Sequence, residues 1–292
     1  MKQALFRRVG LFSKAADPAA GSVLAEVVRM LRAAGCEIMP TANAAALVPD
    51  AAACEPTDVK ARADLAIVIG GDGSMLAAAR ALDWAAVPLI GVNRGRIGFL
   101  ADVRSGALAE ELGAVLRGDY MEERRSVLAI EADGGTLHTD HAVNDVVIKR
   151  RDGSRVLEVE VWVGDAWFGR TRGDGLIVAT PTGSTAYALS AGGAIIAPGL
   201  DALAIVPICP HSLGERPALV PDVHPIRLRP LLADGETAEA VLDGQASFLL
   251  SANQELRVRR AEHELLLVHP PTYEYFATLR EKLDWGGRAP TC

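Results

Sequence analysis

Leu65-Ala66-Ile67-Val68-Ile69-Gly70-Gly71-Asp72-Gly73-Ser74 is the stretch that decides the fold. Five apolar residues read as a buried strand, and the strand ends in a loop almost free of side chains. Three glycines allow backbone angles that other residues resist, and they let N–H groups approach a ligand closely. One carboxylate, Asp72, sits among them. An acid repels phosphate, so its presence fits a group that accepts a proton from a hydroxyl, or that faces a metal or a ribose. Read without a ligand, the same run is a tight strand-to-helix turn capped by Ser74.

Outward from this stretch, the first third alternates strand with helix. Val9–Phe12, Cys36–Met39, Leu65–Ile69 and Pro88–Val92 read as strands. Ser22–Ala34, stopped by Gly35, Ser74–Leu82 and Ala107–Leu116 read as helices, and Ala42–Ala53 fits helix or loop. Alternation of this kind implies a parallel sheet with helices on its faces, and ligands bind such sheets beyond the carboxyl ends of strands, where Gly70–Gly73 falls. Near Gly118-Asp119-Tyr120 the pattern turns to strands: Val127–Ile130, a turn at Asp133-Gly134-Gly135, and the alternating run Leu157–Val163 with a tight turn at Gly164-Asp165. Gly175–Ala179, Ile226–Leu228, Ala238–Leu242 and Leu256–Val258 follow, and the tail Tyr275–Trp285 reverts to helix. The expected domains are an α/β unit over residues 1–118 with the tail 273–292, and a β-rich unit over residues 119–272.

The 292 residues suit two domains, and half of them are hydrophobic, enough for a substantial core. A net charge of −7 and a pI near 5.4 argue against a nucleic-acid partner, which calls for a basic face. Cys36, Cys54, Cys209 and Cys292 show no C-x-x-C spacing, so neither a zinc site nor a redox pair is indicated. Arginines interrupt the N-terminus, which is no signal peptide, and no apolar run is long enough to span a membrane. The expected compartment is the cytoplasm.

Further segments bear on chemistry. Gly91-Val92-Asn93-Arg94-Gly95-Arg96-Ile97-Gly98-Phe99-Leu100 follows a strand but lacks the dehydrogenase glycine spacing. Asn93, Arg94 and Arg96 would share a sheet edge with Asp72, or cap the loop. Asn144-Asp145, before Val146-Val147-Ile148, suits ribose hydroxyls or a turn. Arg172-Gly173-Asp174-Gly175 leads through a buried strand into Thr180-Pro181-Thr182-Gly183-Ser184-Thr185-Ala186-Tyr187. That dense run of small polar residues donates hydrogen bonds to phosphate, adenine or ribose without bulk. Asp243-Gly244-Gln245 reads as a turn and Lys149-Arg150-Arg151 as a solvated basic run, or as an attractor of a phosphate-bearing substrate. His263 and His269 are spaced wrongly for a zinc helix, and no metal-ligating residues are assigned.

Together these segments resemble the NAD kinase family, whose pattern runs GGDG, an Asn-Glu or Asn-Asp pair, then TPTGSTAY. Here they are Gly70–Gly73, Asn144-Asp145 and Thr180–Tyr187. Asn93–Leu100, Pro210-His211-Ser212-Leu213, Asp243-Gly244-Gln245 and Leu279-Arg280-Glu281-Lys282-Leu283 also look like the family, so the likeness spans nearly the whole chain. GGDG is shared with lipid kinases and phosphofructokinases, whereas TPTGSTAY is the specific element. Two positions depart mildly: Ser74 stands where threonine is common, and Asp145, one methylene shorter, where many members have glutamate.

The resemblance implies a Rossmann-like α/β domain, then a β-sandwich, with a last helix returning to the first domain. It implies transfer of the γ-phosphoryl group of ATP, or another donor, to the 2′-hydroxyl of the adenosine ribose of NAD, with Mg²⁺ on the triphosphate. It implies Asp72 as proton acceptor beside Gly71 and Gly73. It further implies a NAD site of Asn144, Asp145, Arg155, Arg172, Asp174, Thr185, Ala186, Tyr187, Ala188, Leu189, Ser190 and Gln245. The implied partners are NAD and ATP, and the implied assembly is a homodimer or homotetramer. A lipid or sugar kinase sharing GGDG, and a nucleotide sensor without turnover, are the competing readings. TPTGSTAY speaks against the first and Asp72 against the second.

Overall fold

A computed structural model describes residues 5–13, 18–46, 48, 50–84, 86–93, 98–133, 138–151 and 156–285. The chain divides into two compact units, one of Met1–Arg124 with Leu265–Cys292 and one of Arg125–Glu264.

The first unit opens with β1 (Arg8–Ser13), α1 (Pro18–Ala33), β2 (Glu37–Pro40), α2 (Ala42–Ala45), α3 (Pro56–Arg62) and β3 (Leu65–Ile69). It continues with α4 (Asp72–Ala81), β4 (Leu89–Asn93), β5 (Val103–Arg104) and α5 (Leu108–Leu116). The strands lie parallel in the order β2-β1-β3-β4, with β5 on the far side of β4. β1, β3 and β4 are buried through their middles because helices cover the sheet, which is why their sequences are continuous apolar runs. Leu11, Ile67, Ile69, Ile90 and Val92 meet Leu24, Val28, Leu31, Leu112 and Val115 of the helices in one core. α1 ends as expected: Gly35 takes φ +76°, and the amides of Gly35 and Cys36 return to the carbonyls of Arg32 and Leu31.

Local readings missed two details here. α3 has Pro at its first turn and a single buried apolar residue, Val59, too little periodicity to betray it. The helix expected from Ser74 begins at Asp72, with Gly71 as its N-cap, because an acid suits the first turn of a helix.

The second unit holds β6 (Met121–Ala132, from Arg125 onward), β7 (His138–Ala142), β8 (Asp145–Arg150), β9 (Leu157–Val163), β10 (Ala166–Gly173) and β11 (Gly175–Ala179). After a one-turn helix α6 (Tyr187–Ser190) come β12 (Ala202–Ile208), β13 (Ala218–Pro221), β14 (Ile226–Pro230), β15 (Thr237–Leu242) and β16 (Ala246–Ser251). Its last strand is β17 (Leu256–His269), whose final residues belong to the first unit. One sheet runs β13-β12-β11-β8-β15-β16, antiparallel throughout. The other joins β10, β9, β14 and the start of β17, with β6 and β7 beside them.

Alternate residues of facing strands fill the space between these sheets: Val146 and Ile148, Leu176 and Val178, against Val159, Val161 and Leu228. The other face of β8, β11 and β12 carries Val147, Ile177 and Val206, which Ala188 and Ile196 cover. This is a β-sandwich with one of its sheets buried on both sides. From Leu265 the chain is back in the first unit, where Leu267 pairs with Leu89 of β4 and α7 (Tyr275–Leu283) ends the described chain. The α/β domain, the sandwich and the returning helix agree with the expected fold class. No described helix is long and apolar enough to cross a membrane.

Candidate functional site

Asp72 is the first residue of α4, at the carboxyl end of β3. Its carboxylate accepts three consecutive backbone N–H bonds: Phe99 on Oδ2 at 3.0 Å, and Leu100 and Ala101 on Oδ1 at 3.0 and 3.2 Å. Lys282 of α7 places its ammonium 3.6 Å from Oδ2 and 4.8 Å from the centre of the Phe99 ring. Gly98 makes this approach feasible, since a Cβ there would lie 1.9 Å from Asp72 Oδ1. Asn93 ties the same loop down through its amide, 3.3 Å from the Ala101 carbonyl. Arg94 and Arg96 lie outside the described residues.

The glycines around Asp72 correct one expectation. None of Gly70, Gly71 and Gly73 adopts a positive φ. Gly70 is required because a Cβ would meet the Ser74 side chain at 2.2 Å, whereas Gly71 and Gly73 face open space. They keep the helix N-terminus clear rather than bend the chain.

In the sandwich, register brings three motifs to one edge of one sheet. β8 lies between β11 and β15, with Asp145 opposite Ala179 and Val146 opposite Leu242. So Asn144-Asp145, the loop after Ala179 and the turn after Leu242 emerge side by side. Asp243 and Gly244 take φ +51° and +65° in the three-residue turn Asp243–Gln245 between β15 and β16, where the Gln245 amide donates to the Leu242 carbonyl at 2.9 Å. The Asp243 carboxylate accepts from the amides of Val143 at 3.0 Å, Asn144 at 2.7 Å and Asp145 at 3.2 Å.

The same segment is gripped from its carbonyl side. The Thr180 hydroxyl donates to the Val143 carbonyl and the Thr180 amide to that of Asn144, while the Gly183 amide donates back to the Thr180 hydroxyl. Gly183 packs so closely that a Cβ would sit 1.9 Å from the Asn144 carbonyl oxygen. Backbone held on both sides leaves the Asn144 and Asp145 side chains as its variable part.

These residues line a cavity of about 400 Å³, with Ala186 and Tyr187 on one wall and Val147, Val241 and Lys149 on the others. That volume suits a small-molecule ligand. Asp145 is only 4% exposed. Burial, and then the charge of Asp243, push its carboxyl up to about 7, so it changes protonation near neutrality.

Of the residues expected at the NAD site, the structure gathers Asn144, Asp145, Ala186 and Tyr187 at this cavity. Arg172 is exposed near the end of β10, and Asp174 is exposed just beyond it, its side chain hydrogen-bonded to the Cys209 thiol. Thr185 turns its hydroxyl back to the Thr182 carbonyl. Ala188 points into the core, which leaves only its backbone for a ligand, while Leu189 is partly buried and Ser190 exposed. Gln245 is exposed beside the turn, and Arg155 lies outside the described residues, as do Gly134 and Gly135 of the expected turn and Cys292.

Reasoning from sequence missed Asp243 as more than a turn, Thr180 as a clamp, and Lys149 as a wall residue paired with Glu239 at 3.5 Å. Only the Asp-Gly spacing and the basic run marked them. His263 and His269 lie on β17, as a strand reading requires: His263 meets the edge of His141, and buried His269 hydrogen-bonds Asp102 at 2.8 Å and Glu123 at 3.0 Å.

Known proteins share this architecture. The family described as ATP-NAD kinase N-terminal domain matches residues 9–120, and that described as ATP-NAD kinase C-terminal domain matches residues 143–270. The chain is 41% identical to a NAD kinase of Nitrosospira multiformis, covering 98% of this chain and 99% of that one. It is 40% identical to a NAD kinase of Aromatoleum aromaticum, covering 96% and 94%. Among solved structures, yeast NADH kinase complexed with NADH superposes with a TM-score of 0.88 at 22% identity, over 100% of this chain and 91% of that one. A NAD kinase from Archaeoglobus fulgidus in complex with ATP superposes with a TM-score of 0.75 at 24% identity, over 94% and 99%.

Proposed function

The chain belongs to the NAD kinase family, and from that premise we propose that it transfers the γ-phosphoryl group of ATP to the 2′-hydroxyl of the adenosine ribose of NAD, giving NADP. The observation that carries the assignment of roles is the fixed carboxylate of Asp72, oriented by three backbone donors and an ammonium. A sugar hydroxyl is a poor nucleophile until a base takes its proton during attack, and a positioned carboxylate supplies that for ~10²–10⁴-fold in rate. Phosphoryl transfer otherwise asks for positioning and charge neutralisation more than covalent chemistry. Backbone donors hold Asp72 without moving during the reaction, so no reorganisation opposes the proton transfer.

In this reading Asn144 and Asp145 hold the adenosine part of NAD, with the Thr180–Tyr187 loop as one wall. Arg155, Arg172, Asp174, Thr185 and Gln245, with the backbone of Ala188–Ser190, serve the rest of the dinucleotide. Mg²⁺ arrives on the triphosphate as part of the substrate. Among the described residues no three His, Cys, Asp or Glu side chains are grouped to hold an ion of their own. The same reading carries a cytoplasmic location and a homodimer or homotetramer. The exposed Trp167 and Phe168 on β10, which among the described residues is an edge strand paired with β9, support self-association.

The test is NADP formation from NAD, ATP and Mg²⁺ by wild type and Asp72→Asn, with NAD affinity measured alongside. The variant is expected to bind NAD normally and to lose ~10²–10⁴-fold in turnover. Full activity in the variant removes Asp72 as the base. No product from wild type, with polyphosphate and NADH also tried, returns the chain to the lipid-kinase or sensor reading.

A further inference from the structure

We propose that Asp243 is a positioning residue of the dinucleotide site: its carboxylate fixes the backbone of Asn144 and Asp145 and sets the hydrogen-bonding form that Asp145 presents to the ligand. The inference rests on the reading of this cavity as part of the NAD site. A turn with positive φ at these two positions has no need of an acid, because Asn-Gly serves the same geometry. What the acid adds is a pair of charged acceptor oxygens, and three successive amides 2.7–3.2 Å away use them. The turn is itself tied back, with the Asp243 amide donating to the Asp145 carbonyl at 3.0 Å. Asp243 and residues 143–145 therefore form one closed hydrogen-bonded unit, although nearly a hundred positions separate them in the chain.

The second consequence is electrostatic. Two carboxylates lie close together at a buried edge, and the one with less access to solvent is Asp145. The other titratable residues lining the same cavity are Lys149, on its own strand and paired with Glu239, and Tyr187. Burial and the Asp243 charge move its proton release to about 7. A protonated carboxyl offers one donor and keeps some acceptor capacity, whereas the ionised form only accepts. Ribose hydroxyls and the adenine amine are donors, so the ionised form is the one that receives them. Asp243 thus holds Asp145 in place and also delays its ionisation into the working pH range.

Two readouts test this. One is NAD affinity without ATP, from pH 5.5 to 8.5, for wild type, Asp145→Asn and Asp243→Asn. The other is the ¹³C carboxyl titration of Asp145 in ligand-free protein. In wild type, affinity is expected to fall by up to about tenfold per unit below pH 7, and in Asp145→Asn it is flat. Asp243→Asn removes the charge and one acceptor, so affinity at pH 8 drops about tenfold or more and both midpoints move down. A variant weakened by one factor at every pH, with its midpoints in place, would overturn the proposal and leave Asp243 a structural turn. Should Asp243→Asn fail to fold, Asp243→Ser, which keeps one acceptor and removes the charge, takes its place with the same outcomes, and a wild-type midpoint near the ordinary carboxylate value of ~4 overturns the proposal outright. Wild type that binds no NAD counts against the dinucleotide reading, while the carboxyl titration still judges the coupling of Asp145 to Asp243.

Discussion

Asp145→Asn is expected to make the protein more stable at alkaline pH while impairing NAD binding. The side chain is 4% exposed and releases its proton near 7 in the folded state, against ~3.9 in an unfolded chain. Between these values the native state holds a proton that the unfolded state has lost. Stability therefore falls as pH rises from about 4 to about 7, and stays at its lower value above that. Each unit is worth about 1.4 kcal/mol, so the full span is about 4 kcal/mol. That is a large share of the roughly 5–15 kcal/mol that holds a typical protein folded. Asparagine has the size of the protonated acid and never ionises. The variant should match wild type within about 1 kcal/mol at pH 4.5 and exceed it by roughly 2–4 kcal/mol at pH 8, the lower end allowing for partial relaxation around the charge.

The assay is urea denaturation of both proteins at the two pH values, comparing midpoints at equal slope. Other groups titrate over this range, but they do so in both proteins and cancel in the difference. A stability difference that is the same at pH 4.5 and pH 8 would show that Asp145 keeps an ordinary carboxylate in the fold. The reasoning about its burial and about Asp243 would then be wrong.

Two further substitutions probe the other unit. Gly98→Ala places a methyl on Asp72 Oδ1, the far end of a short side chain that can swing aside. It should leave the melting temperature within a few degrees of wild type and NAD affinity unchanged, yet cut turnover at least about tenfold by displacing the base; normal turnover would show that the 98–101 loop does not orient Asp72. His269, 1% exposed and stacked on Tyr273, pays for its burial, but hydrogen bonds to Asp102 and Glu123 outweigh that and hold its pKa above the ordinary value. Its contribution is complete below about pH 6.5 and is lost as pH rises through the folded-state value, so His269→Gln should destabilise by about 3–5 kcal/mol at pH 6 and by less at pH 9. Equal losses at both values would mean that the fold does not raise the pKa of the ring.

The sequence disclosed what is local. Leu65–Ile69 with its glycine loop, and the alternation of Leu157–Val163, marked an α/β unit and a sandwich because burial on two faces and on one leaves different patterns. Asn144, Asp145 and Tyr187, which line one cavity, stood out because their motifs carry polar groups near strand ends. Asp243 was taken for a turn because Asp-Gly reads the same whether its carboxylate meets water or three amides from a distant segment. The ring of donors around Asp72 was hidden for a similar reason: backbone N–H groups have no letter in a sequence, and Lys282 is two hundred residues away. Arg150 shows the converse, since a run of basic residues on paper becomes, in the fold, a half-hidden partner of Glu236 at 2.8 Å.

The first unit is made from both ends of the chain, and this sets an order on its birth at the ribosome. β4 emerges early, between β3 and the short β5, but the strand that pairs with Leu89 on the side away from β3 arrives only with Leu267. About 177 residues intervene between Leu89 and Leu267, and 140 of them, Arg125 to Glu264, belong to the sandwich. At ~5–20 residues per second that edge of β4 waits roughly 9–35 s for its neighbour. The sandwich is contiguous and can close during that wait, so the part of the chain that begins last is the first able to finish. A nascent chain stalled within it would present an open parallel edge, the kind of surface that chaperones guard.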